Sequence, residues 1–146
     1  MQLVIKKTEE LSSIEITKIF RERVKVFVVE QNCPYQEIDE FDIESKHVIL
    51  KDEDRIVAYT RIIELENKIS FGRVLVSKDH RGKNLGRKIV QETIDCIHEG
   101  DSKKKIYISA QEHLKEFYKT FGFEETSAMY LEDGVPHIDM ILNIER

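Results

Sequence analysis

Between Val74 and Lys88 the chain reads VLVSKDHRGKNLGRK. An apolar run passes through a turn containing Gly82 and into a helix that the pattern starts near Asn84. A helix start presents backbone N–H groups that lack internal partners, together with a partial positive charge. Gly82 carries no side chain to hold an anion away from the backbone. Asn84 tolerates left-handed dihedrals, and Gly86 leaves the first helical turn open. Lys78, Arg81, Lys83, Arg87 and Lys88 stand against the single acid Asp79, in a chain whose net charge is −5. These are the parts of a phosphate cradle. The same residues also read as a solvated basic helix start, and the segment alone does not choose between the two. It is neither GxxxxGK[ST] nor GxGxxG.

A second group of residues is acidic. Glu37, Asp39, Glu40, Asp42 and Glu44 follow one another without a base, which either draws a cationic ligand or is a solvated loop. Arg61 and Arg73 offer the opposite preference, for a ligand bearing a carboxylate. An EF-hand order is absent. Cys33 and Cys96 form no CxxC pair, and the five histidines show no HxxxH spacing, so no metal site is expected.

The elements that must position these residues follow from periodicity. Residues 2–6 read as a strand. Ser12 with Glu15 forms a capping box opening a helix over about 13–29, with Ile14, Ile16, Ile19, Phe20, Val24 and Phe27 at helical spacing. Residues 30–45 read as a loop with room for a short helical turn. Strands over 47–51, 55–64 and 68–77 make an antiparallel meander. A helix over 84–99 ends at Gly100, a strand spans 106–109, and a helix over 112–121 stops at Gly122. Strands over 123–131 and 136–143 flank the hairpin signal Glu132-Asp133-Gly134. The order is β α β β β α β α β β, a mixed α/β fold.

The chain has 146 residues, 40% hydrophobic and 35% charged, which predicts one soluble domain over 1–146. The acidic balance argues against a nucleic-acid binder. No apolar run approaches the ~20 residues of a membrane helix, and the N-terminus lacks a signal core, so a cytoplasmic protein without membrane contact is expected. Monomer and homodimer stay open.

Arg81, Asn84 and Gly86 occupy the key places of the pattern Arg/Gln-x-x-Gly-x-Gly/Ala, so the segment resembles the acyl-CoA signature of the GNAT superfamily of N-acetyltransferases. Asn84 departs from the usual middle glycine. Residues 110–123, AQEHLKEFYKTFGF, are similar to the later family block ending Tyr-x-x-x-Gly-Phe, with Tyr118 at its tyrosine. VFVVEQNCPYQEID over 26–39, with Gly72-Arg73-Val74 and Gly134–Ile138, resembles the ElaA-type subgroup. The resemblance covers nearly the whole chain.

The resemblance implies a mostly antiparallel sheet, splayed between strands 4 and 5 and flanked by helices. It implies acetyl-CoA as cosubstrate and direct acetyl transfer to an amine of a small molecule or protein in a ternary complex. Val74, Leu75 and Val76 would meet the pantetheine arm, with Gln111 beside it. Amides from Arg81 through Gly82, Lys83, Asn84, Leu85 and Gly86 to Arg87 would hold the pyrophosphate. Tyr118 would protonate the leaving thiolate; without the first motif, packing beside Phe117 and Phe121 would be the better reading of it. Glu30 is the first candidate to accept the amine's proton and His137 the second. Glu30, Gln31, Tyr35, Asp39, Asp42, Arg73 and His137 are expected on the acceptor side. A non-catalytic acyl-CoA sensor is the alternative, and a nucleic-acid role through 78–88 is disfavoured by charge.

Overall fold

The computed structural model describes residues 1–100 and 105–143. β1 (Gln2–Lys7), β2 (Lys46–Asp52), β3 (Arg55–Glu64) and β4 (Ile69–Val76) form the antiparallel meander read from the sequence. β5 (Ile106–Gln111) joins β4 in parallel. β8 (Val135–Leu142) continues antiparallel to β5 and carries β6 (Glu124–Glu125) and β7 (Tyr130–Glu132) along its other edge. The spatial order is β1-β2-β3-β4-β5-β8-β6.

The sheet is covered on both faces, and strand alternation divides the core accordingly. Val48, Leu50 and Ala58 pack with α2 (Leu85–Glu99), which buries Leu85, Ile89, Val90, Ile94 and Ile97 along one stripe. Ile49, Tyr59 and Leu75 point the other way, onto Ile19 of the first helix and Val26 just beyond it. That helix, α1 (Ser13–Val24), opens on the predicted capping box. Ser12 Oγ accepts from Glu15 N–H at 3.1 Å, and the Glu15 carboxylate accepts from Ser12 N–H at 2.8 Å. Beyond Val24 the coil widens into a π-helical turn over Lys25–Glu30.

The 30–45 segment contains the short helical turn its reading allowed, a 3-10 turn over Glu40–Ile43 capped by Asp39. The structure departs from the sequence reading in two other places. The expected strand over 123–131 is broken into β6 and β7. Between them the Ser127 hydroxyl accepts from Asp139 N–H at 3.0 Å and Thr126 N–H donates to the Asp139 carbonyl at 2.9 Å. A side chain thus replaces a ladder bond and lets the chain leave the sheet. The helix expected over 112–121 starts as a 3-10 turn, Glu112–Leu114, and becomes α3 (Lys115–Lys119). No helix of the described residues is long and apolar enough to cross a membrane.

Candidate active site

β4 and β5 touch through only two residue pairs, Ile69 with Ile106 and Ser70 with Tyr107. Beyond them the strands separate. Phe71–Val76 on one wall and Ile108–Gln111 on the other line a cavity of about 660 Å³. Parallel pairing is cheap to interrupt where the strands twist apart. The result is a pair of strand edges inside the sheet, open to an extended ligand that adds as a strand. β4 is also bulged: Tyr59 pairs with Leu75 and Arg61 with Gly72, so Arg73 and Val74 together oppose Thr60. Arg73 sits at φ +54, an uncommon conformation for a residue with a long side chain.

The slot continues through Val76, Gly86 and Phe117 into a second concavity lined by His80, Arg81, Gly82, Asn84, Leu85 and Arg87. Gly82 (φ +83) and Asn84 (φ +60) turn the chain so that α2 starts at the mouth of this concavity. The buried His80 pins the turn by a 2.9 Å bond to Ser77 Oγ. Arg81 donates from Nε to the Val76 carbonyl at 3.0 Å and from Nη2 to Glu30 at 2.7 Å. Arg87 lies over Phe121, 4.7 Å from the ring centroid, and donates to Thr120 Oγ1. Lys83 is exposed at the tip of the turn and lines neither space.

Tyr118 lies on the slot wall, 5% exposed, edge-on to Phe117 and Phe123. Its hydroxyl takes no hydrogen-bond partner among the described residues, and burial pushes it up to about 12. Burial keeps the phenol protonated, so it holds a proton at the slot wall, as a weaker acid than an exposed tyrosine.

The other end of the cavity is built by the turn after α1 and by the β7–β8 hairpin. Phe27, Gln31, Cys33, Tyr35 and Asp39 come from the first; Glu132, Asp133 and His137 from the second. The acidic segment does not present five free charges here. Arg23, fully buried, donates to Glu37 at 2.9 Å and grips both oxygens of Asp42 at 2.6 and 2.9 Å. Arg61 holds Asp39 at 2.7 Å and lies 3.1 Å from Asp42. Arg73 lies 2.6 Å from Glu37 and 3.3 Å from Asp39. Burial opposes the charge on Asp42, but the Arg23 guanidinium overrides it and holds the carboxyl down at about 2. Three arginines and three acids thus neutralise one another, and Asp42, 3% exposed, stands behind the cavity wall instead of on it.

Of the residues expected at a site, the slot brings together Val74, Leu75, Val76, Gln111, Tyr118, Gln31, Tyr35, Asp39, Arg73 and His137. Glu30 is turned away onto Arg81 and lines neither space. Sequence reasoning missed Arg23 and its partners. The signal was present: Arg23 follows Ile19 by four residues and precedes Val26 by three, so it lies on the apolar stripe of its helix. It also missed Glu132 and Asp133, which the hairpin carries to the cavity. No metal-binding cluster occurs among the described residues.

Residues 10–144 match the family model for an acetyltransferase (GNAT) domain. Protein ElaA of Escherichia coli is 40% identical over 137 residues, covering 90% of this chain and 89% of that one. The crystal structure of E. coli ElaA superposes with a TM-score of 0.92 over 97% of this chain and 99% of that one, at 36% identity. An acyl-CoA N-acyltransferase from Pseudomonas aeruginosa gives the same TM-score and coverage at 32% identity. A sheet opened between β4 and β5, a basic turn at the head of α2 and this full-length similarity agree: the chain belongs to the GNAT acyltransferase family, in its ElaA-like subgroup.

Proposed function

We propose that this chain, as one domain over 1–146, transfers an acetyl group from acetyl-CoA to a primary amine by direct attack within a ternary complex. The slot between β4 and β5, continuous with the basic turn and flanked by the free hydroxyl of Tyr118, carries this reading. The pantetheine arm pairs with the open edge of Val74–Val76 and passes Gln111. The pyrophosphate rests on amides from Arg81 to Arg87. A backbone N–H near Leu75 or Val76 polarises the thioester carbonyl; one such donor is worth about 10²–10³ in rate. Tyr118 protonates the departing sulfur.

The acceptor enters from the side of Gln31, Tyr35 and His137. Among the described residues the carboxylates there without an Arg or Lys partner are Asp133 and Glu132, the latter 3.8 Å from His137 Nε2, because Asp39 is occupied by Arg61 and Arg73. This favours a cationic amine over an acceptor led by its carboxylate.

Titration calorimetry with acetyl-CoA, followed by thiol release against a panel of primary amines, tests the proposal. Micromolar binding and amine-dependent release are expected. Arg81→Glu, which sets a second carboxylate beside Glu30 and breaks the bonds from Arg81 to Val76 and Glu30, is expected to weaken binding at least about tenfold by putting negative charge at the mouth of the turn. Absence of binding by the unaltered protein refutes the reading.

A further inference from the structure

An alkylammonium must lose a proton before its nitrogen attacks, so the acceptor end of the cavity has to supply a base. Most carboxylates near it are already engaged. Glu30 holds Arg81, Asp39 holds Arg61 and Arg73, and Glu37 is buried under Arg23 and Arg73. His137 differs. It stands opposite Gln111 at the end of β5 and opposite Tyr130 on β7, and it lines the same cavity as Tyr118.

The tautomer of His137 follows from its partner. Nδ1 lies 2.8 Å from the Val135 carbonyl oxygen. A carbonyl only accepts, so Nδ1 carries the hydrogen and the lone pair of the neutral ring is on Nε2. Glu132 Oε2 lies 3.8 Å from that Nε2, placed to draw close once the ring is protonated. The ring stacks on Tyr130 with centroids 6.2 Å apart and planes at 29°. Tyr130 is itself fixed, donating to Asp139 at 2.6 Å and accepting from Ser109. The imidazole therefore has its protonation site, orientation and counter-charge set in advance, which is what a general base requires.

We infer that His137 is the general base of the acyl transfer proposed above, with Glu132 as the positioning carboxylate. This rests on that reading. The ammonium gives one proton to Nε2. The N–C bond forms as the C–S bond breaks, and Tyr118 gives its proton to sulfur. The nitrogen's second proton leaves to solvent, which also restores Tyr118 and takes the proton from the imidazolium.

The test has two readouts. Proton–nitrogen NMR of histidine-labelled protein without acceptor reads the tautomer, and His137 is expected in the Nδ1–H form. The alternative Nε2–H form overturns the assignment. Kinetics of His137→Gln are then compared for an alkylamine and for methoxyamine, which is already unprotonated at neutral pH. The alkylamine should lose about 10²-fold or more in kcat/KM, while methoxyamine changes by no more than about threefold and acetyl-CoA affinity is unchanged. Equal losses with both acceptors mean a structural role and overturn the proposal. Glu132→Gln, at a half-exposed position, guards against misfolding of the first variant and should show the same selectivity at roughly a tenth of the effect. If the unaltered protein binds acetyl-CoA but releases no thiol with any amine, the transferase reading falls and the base falls with it. The tautomer measurement keeps that failure distinct.

Discussion

Tyr118 is surrounded by rings on the side that faces the core and by the slot on the other, and nothing among the described residues bonds its hydroxyl. Removing that oxygen leaves the packing intact. Tyr118→Phe is therefore expected to lower kcat by about 10²-fold, within the range for loss of a positioned proton donor. Acetyl-CoA affinity and melting temperature should stay where they were, as calorimetry and thermal unfolding will show. Unchanged kcat would remove Tyr118 from the reaction. The residue was legible in the sequence because Tyr-Lys-Thr-Phe-Gly-Phe is local. His137 was legible as a candidate, but its tautomer and its neighbour Glu132 were not, since these come from a hairpin that lays two residues of one cavity wall side by side.

Among the elements, α2 was readable almost to the residue, because its apolar stripe and Gly100 are periodic and local signals. Its start carries the one departure from the family pattern. Asn84 sits at φ +60 with no side-chain cap bond, so its backbone conformation, not its amide, is what the turn needs. Asn84→Gly is expected to keep both stability and acetyl-CoA affinity. Asn84→Val, β-branched in a left-handed conformation, should cost about 1–2 kcal/mol in urea unfolding and weaken acetyl-CoA binding by shifting the amides of the turn. If valine is tolerated on both measures, the turn does not hold the anion. The π-helical turn and the broken β6–β7 stretch had no such local signature. Periodicity does not register one widened turn, nor a serine hydroxyl standing in for a backbone acceptor.

For the whole molecule, the instructive quantity is where the charges are neutralised. Six of them, Arg23, Arg61, Arg73, Glu37, Asp39 and Asp42, are drawn together from α1, β3, β4 and the segment after α1. They tie the acceptor-side wall to the sheet. A charge count along the sequence could not show this, because opposite charges far apart in the chain cancel only when the fold brings them together. Arg23 is the hub: Arg23→Met leaves Glu37 and Asp42 buried without it and should cost about 3–5 kcal/mol. Behind it His47 is fully buried and its neutral form is specified. Thr8 uses its hydroxyl proton on the Asp42 carbonyl, so His47 Nε2–H donates to Thr8 Oγ1 at 2.7 Å, and Nδ1 accepts from Tyr59 at 2.6 Å. Protonating Nδ1 sets two donors against each other beside the Arg23 cation. Burial and that cation hold the imidazole down at about 4. The unfolded chain, with an ordinary histidine, then binds more protons than the folded one between about pH 6.5 and 4. Stability from His47 is complete above that window and falls as pH drops through it, by about 2 kcal/mol between pH 7 and 5. Asp42 acts in the same sense only below the ordinary carboxylate range, so it does not contribute there. In urea unfolding at the two pH values, His47→Gln should be less stable than the unaltered protein at pH 7 yet lose about 2 kcal/mol less on going to pH 5. Tyr59→Phe, which frees Nδ1 to take a proton, should shrink the loss in part. Parallel pH profiles for the unaltered protein and His47→Gln would place the acid sensitivity elsewhere.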